Sequence, residues 1–214
     1  MMRKILPGIV FILSAQMATA EPVTVAALGD SLTQGYGLPQ ADGFVPQLER
    51  WLRDNGADVA LVNAGVSGDT SVGGAARLDW TLTPEVDALI VTLGGNDLLR
   101  GIDPSVTRTS LEKILSGAED AGVEVLLIGM PGPANFGADY KAAFEANYSE
   151  LAEAYDVLFV PNFLSALTDG GTDPSAARAF LQEDGIHPSA EGVARIVDAI
   201  GPVALELVEK AGGD

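Results

Sequence analysis

The chain has 214 residues, 47% hydrophobic and 20% charged, which suffices for one globular domain with a sizeable core and leaves no room for a second enzyme-sized one. Twelve Lys and Arg against thirty Asp and Glu give a net charge of -18, which repels phosphate backbones and anionic membrane surfaces and makes nucleic acid a poor partner. No cysteine and a single histidine exclude disulfides, thiolate chemistry, iron–sulfur clusters and zinc sites with several Cys or His ligands, so any imidazole chemistry falls to His187.

At the amino end, Arg3 and Lys4 precede a mostly apolar run from Ile5 to Ala15, and Ala18-Thr19-Ala20 forms a small-x-small pattern before Glu21. This is the signature of a cleavable signal peptide over residues 1–20. Pro7, Gly8, Ser14 and Gln16 interrupt a run shorter than the ~18 apolar residues that spanning requires. The expectation is an exported protein, periplasmic or secreted, with 21–214 as a single domain and no stable membrane insertion after cleavage.

The runs Val23 to Leu28, Val59 to Val62, Ala88 to Leu93, Val123 to Ile128 and Val157 to Val160 each predict a strand. Between and after them, helical stretches are expected near 43–55, 73–82, 104–121, 138–155 and 189–211. Parallel neighbours need crossover connections, so this alternation predicts a five-stranded parallel sheet covered by helices on both faces, a three-layer α/β/α domain. Ligand sites in such sheets lie beyond the carboxyl ends of the strands.

The loops expected there carry chemistry. Gly29-Asp30-Ser31-Leu32-Thr33 follows the first strand, Asn63-Ala64-Gly65-Val66-Ser67-Gly68-Asp69 the second, Gly94-Gly95-Asn96-Asp97 the third, and Met130-Pro131-Gly132-Pro133 the fourth. Asp184-Gly185-Ile186-His187-Pro188 precedes the last helix. A serine hydrolase needs a hydroxyl, an imidazole, a carboxylate to orient it and donors for the oxyanion. Ser31, His187, Asp184, Asn96 and the Gly65 N–H are candidates for these parts. Local sequence leaves other readings open: Ser31 as a helix cap, His187 as a surface histidine, Gly65 and Asn96 as turn residues. Glu183 rivals Asp184, Ser67 is a second conceivable nucleophile, and Asp97 suits a cap. Neither G-x-x-x-x-G-K-[ST] nor a G-x-G-x-x-G after the first strand is present, so no nucleotide cradle is expected.

Taken in order, Gly29-Asp30-Ser31-Leu32, Gly65, Gly94-Gly95-Asn96-Asp97 and Asp184-Gly185-Ile186-His187-Pro188 resemble the four blocks of the SGNH, or GDSL-type, hydrolase family. The stretches Leu28 to Leu38, Asn63 to Trp80 and Gly94 to Gly101 look like its exported bacterial thioesterase, lysophospholipase and arylesterase branch. The resemblance implies a flavodoxin-like sheet, an acyl-ester or thioester hydrolase acting on a small-molecule substrate, no metal or other cofactor, and a monomer. It makes Ser31 the nucleophile, His187 the general base and acid, and Asp184 its orienting carboxylate, with the Ser31 N–H, the Gly65 N–H and Asn96 forming the oxyanion hole. Leu98, Leu99, Ile102, Pro133 and Phe136 are the candidate walls of the acyl site. A carbohydrate O-acetylesterase on the same triad and a non-catalytic binding module are the alternatives.

Overall fold

Runs of Val, Leu, Ile and Ala that are apolar on both faces suit strands covered on both sides. The computed structural model of the protein describes residues 21–132, 134–168 and 174–213; the signal peptide expected over 1–20 and the candidate wall residue Pro133 lie outside them. In chain order, β1 (Val23–Gly29) leads into α1 (Ser31–Gln34) and α2 (Phe44–Asp54), then β2 (Val59–Gly65), α3 (Ser71–Ala76), α4 (Leu78–Thr81) and β3 (Ala88–Thr92). The second half holds α5 (Gly95–Leu99), α6 (Pro104–Ala121), β4 (Glu124–Ile128), α7 (Ala138–Ala154), β5 (Leu158–Val160), α8 (Pro174–Ala177) and α9 (Ala190–Gly212).

Every strand pairing is parallel and the sheet order is β2-β1-β3-β4-β5, the flavodoxin-like order. α2 and α9 pack together on one face, while α3, α6 and α7 form the other layer. The expected three-layer α/β/α architecture is present. Val25 to Leu28 of β1, all of β3 and Val125 to Ile128 of β4 are buried, as befits the three interior strands. Chain order reverses between β1 and β3, which creates a crevice at the carboxyl edge where their following loops diverge.

β2 is an edge strand, and side chains occupy its open hydrogen-bonding positions. Arg53 donates from Nε and Nη2 to the Val59 carbonyl at 2.9 and 2.8 Å, and the Leu61 N–H donates to Glu49 Oε2 at 2.8 Å. Charged groups placed this way oppose the addition of a foreign strand.

Three local features depart from expectation. β2 continues three residues past Val62, because Asn63, Ala64 and Gly65, although poor strand formers, find partners in Ala27, Leu28 and Gly29 of the neighbouring β1. The helix expected over 73–82 is two short helices broken at Arg77. Gly73 and Gly74 weaken helical propensity there, and the Arg77 guanidinium is drawn to Asp69 Oδ2, the Ala64 carbonyl and the Gly29 carbonyl at 2.7, 2.6 and 2.9 Å. It thereby clasps the ends of β1 and β2 together. Finally, the segment after Gly94 is a short helix, α5, where a loop was expected.

Candidate active site

The nucleophile candidate is set by a tight strand-to-helix turn. A Cβ at Gly29 would lie 2.0 Å from Thr33 Oγ1 and 2.8 Å from the Thr92 carbonyl, so a glycine is required for α1 to start directly off β1. Asp30 caps α1, its Oδ1 accepting the Leu32 N–H at 3.0 Å. Ser31 is the first helical residue, at the carboxyl edge of the sheet and beside the crevice.

His187 arrives from the far end of the chain on a closed loop. Leu181 and Pro188 form an antiparallel bridge, the Gln182 N–H donates to the His187 carbonyl at 2.7 Å, and the Ser189 N–H donates to the Phe180 carbonyl at 2.8 Å. Within it Gly185 takes φ +69°, a left-handed position that suits glycine. Asp184 Oδ1 accepts the N–H groups of Ile186 and His187 at 2.9 and 3.0 Å, and its Oδ2 lies 2.6 Å from His187 Nδ1. The hydrogen bond from His187, then the two backbone N–H groups, hold the Asp184 carboxyl down at about 2. It is therefore a carboxylate at neutral pH, which requires the proton on Nδ1 and leaves Nε2 free to accept. His187 Nε2 lies 2.9 Å from Ser31 Oγ. Gln182 Nε2 donates to the Tyr36 carbonyl at 2.8 Å and so ties the histidine loop to the segment after α1. The Tyr36 ring stands 4.7 Å from the imidazole, centroid to centroid.

Asn96 sits in the first turn of α5, which Gly94 initiates at φ +112°. Its Nδ2 donates to Asp30 Oδ2 at 3.2 Å. Gly68 takes φ +82°, and Arg100 Nη2 holds its carbonyl at 2.7 Å. Neither the Gly68 N–H nor the Ser31 N–H has a hydrogen-bond partner among the described residues, and both residues line the same cavity as Asn96 and His187.

Gly65 requires correction. Its N–H donates to Asn63 Oδ1 at 2.9 Å and it does not line the cavity. A Cβ there would lie 2.4 Å from the Gln34 nitrogen, so this glycine lets α1 pack against β2. Because β2 extends through Gly65, the glycine that reaches the cavity is Gly68. In the sequence both stand in one Gly-Val-Ser-Gly run, and only the strand's true end separates them.

The cavity has a volume of ≈ 530 Å³. Of the predicted walls, Leu98, Leu99 and Phe136 line it. Ile102 does not: its N–H bonds back to the Asp97 carbonyl and its carbonyl accepts from Tyr140 Oη at 2.8 Å, which folds it behind α5. Met130, Pro131, Leu164 and Ile186 complete the apolar lining. Met130, Pro131 and Ile186 belong to loops that the sequence placed at this edge without marking them as walls, whereas Leu164 carried no local signal and meets the others only through the sheet topology. Ser67 stands at the rim with its hydroxyl on Gln34 Oε1 at 2.9 Å, away from the imidazole. Asp97 is fully buried and accepts from the Ser71 N–H and hydroxyl and from Thr107 Oγ1, binding α3, α5 and α6 together. Among the described residues no cluster of three or more His, Asp or Glu is placed to hold a metal ion.

A parallel sheet in this order, with these blocks at its carboxyl edge, defines an SGNH-type α/β hydrolase. The chain belongs to the GDSL-like lipase/acylhydrolase family, whose model matches residues 27–195, and is a carboxylic-ester hydrolase. It is 37% identical to Esterase TesA of Pseudomonas aeruginosa over 198 residues, 92% of this chain and 94% of that protein. It is 35% identical to thioesterase 1/protease 1/lysophospholipase L1 of Escherichia coli K12, over 92% of this chain and 91% of that one. The crystal structure of AlinE4, an SGNH-hydrolase family esterase, superposes with a TM-score of 0.72 at 38% identity, covering 88% of this chain and 98% of AlinE4.

Proposed function

We propose that the protein hydrolyses acyl esters and thioesters through a covalent acyl-enzyme on Ser31. The observation that carries this reading is the unbroken relay from Asp184 Oδ2 to His187 to Ser31 Oγ, at 2.6 and 2.9 Å, opening onto an apolar cavity. Ser31 Oγ attacks the substrate carbonyl as His187 Nε2 takes its proton, and the imidazolium then protonates the leaving alcohol or thiol. Water, deprotonated by the same nitrogen, releases the acid. Negative charge on the carbonyl oxygen is met by the Ser31 N–H, the Gly68 N–H and Asn96 Nδ2, donors that need no reorganisation. Asn96→Ala is expected to lower turnover about 100-fold or more.

The apolar lining favours an acyl chain over an acetylated sugar, whose hydroxyls would lose their water without replacement partners. The Escherichia coli relative's name includes both thioesterase and lysophospholipase. The signal-like residues 1–20 support export to the periplasm or beyond, where lysophospholipids and small or aryl esters are more accessible than acyl-CoA. The guarded β2 edge supports a monomer.

The test is hydrolysis of p-nitrophenyl esters from acetyl to palmitoyl by the chain from Glu21 onward, beside Ser31→Ala and with acetylated sugars as competing substrates. Activity on acyl esters that vanishes in Ser31→Ala is the expected result. Cleavage of acetylated sugars alone would replace it with the O-acetylesterase reading, and an unreactive serine in folded protein would indicate a binding module.

A further inference from the structure

The relay and the oxyanion donors leave one buried acid of the site without a role beyond capping. Asp30 is only 3% exposed, yet a cap needs a single acceptor, which Oδ1 supplies to the Leu32 N–H. A neutral Ser, Thr or Asn would cap as well without the cost of burying charge. The second oxygen, Oδ2, points into the crevice and accepts from Asn96 Nδ2 at 3.2 Å. A Cβ at Gly95 would stand 3.1 Å from this same oxygen, so the glycine keeps the approach between carboxylate and amide open.

We infer that Asp30 is the positioning residue of the oxyanion hole: its carboxylate fixes the Asn96 amide with nitrogen, not oxygen, towards the reacting carbonyl. An ionised carboxylate only accepts, so the amide must present Nδ2 to it. One N–H is spent on Asp30, and the other stays available for the oxyanion. The same contact polarises the amide and strengthens its remaining donor. A neutral amide at Asp30 would remove this constraint. With its oxygen kept on the Leu32 N–H, its own NH₂ would face Asn96 and reverse that side chain, putting a carbonyl where the oxyanion forms. Burial pushes the Asp30 carboxyl up to about 6, against the lowering effects of the Leu32 N–H, Asn96 and His187, and Asp69 adds to the rise. The group is thus held at a cost and remains an acceptor at neutral pH.

This inference rests on the reading of Asn96 as an oxyanion donor, and the experiment separates the two. Turnover and KM are measured for Asp30→Asn, Asn96→Ala and the double variant, with urea unfolding of each. Expected are a fall in kcat of about 100-fold for Asp30→Asn with KM changed less than about threefold, and less than about threefold further loss when it is added to Asn96→Ala. Multiplicative losses in the double variant, or a kcat near wild type in Asp30→Asn, overturn the positioning role. If Asn96→Ala alone costs less than tenfold, it is the donor reading that fails. Should Asp30→Asn not fold, NMR of the wild-type protein decides. The Asn96 side-chain amide protons are expected to shift in step with the Asp30 carboxyl carbon across its titration, and protons indifferent to it overturn the inference.

Discussion

A carboxyl held above its ordinary value works against the fold. Asp30 titrates at about 6 in the folded chain and near 3.8 when unfolded, so between these values the folded state holds a proton that the unfolded state has lost. Stability from this group therefore declines as pH rises through the window, by about 3 kcal/mol in all at 1.36 kcal/mol per unit. Asp184 runs the other way: its value of about 2 lies below the unfolded one, so its contribution is present above about pH 4 and lost as pH falls towards 2. Urea midpoints of wild type and Asp30→Asn compared from pH 4 to 7 are expected to diverge in favour of the variant as pH rises. Parallel curves would show that burial does not penalise Asp30. At this scale Ser31, His187, Asp184 and Asn96 were legible as candidates because their blocks occur in an order that resembles a known family, whereas cap and turn chemistry alone left each with a competing reading. Gly68 was not, since two glycines three apart look alike until the end of β2 is known.

At the level of elements, the turn from β3 into α5 carries Asn96, and aromatic packing from α7 fixes it. Tyr140, Phe144 and Tyr148 succeed one another along one face of α7, with ring centroids 6.2 and 5.5 Å apart, and Tyr148 Oη donates to the Leu93 carbonyl at 2.8 Å. A Cβ on Gly94 would stand 2.0 Å from that hydroxyl, on a residue already at φ +112°. Gly94→Ala is expected to destabilise the fold by about 2–4 kcal/mol, from left-handed strain and overpacking together, and to reduce turnover by displacing Asn96. Wild-type urea stability in this variant would refute the account. The long helices and all five strands were readable because apolar periodicity and caps are local. The break at Arg77 and the helix α5 were not, because the first answers to carbonyls on two strands and the second to a tyrosine on another helix.

Over the whole molecule, thirty acids outnumber twelve bases and the cavity is apolar, so the net field resists anionic substrates before any contact is made. Hydrolysis of an ester bearing a carboxylate tail is expected to speed up at least about twofold between ~10 and ~150 mM salt, as the screening length falls from about 30 to about 8 Å. A neutral p-nitrophenyl ester should respond little, and equal responses from both would remove the field as a factor in selectivity.

Ser31 and His187 stand 156 positions apart, and the Gln182 bond to the Tyr36 carbonyl joins the same two ends. A polypeptide emerging from the ribosome thus carries its attacking hydroxyl early but receives its proton acceptor only 156 residues later. A nascent chain that stops short of His187 holds the serine without its proton acceptor, so the relay closes only after both ends of the fold have been made.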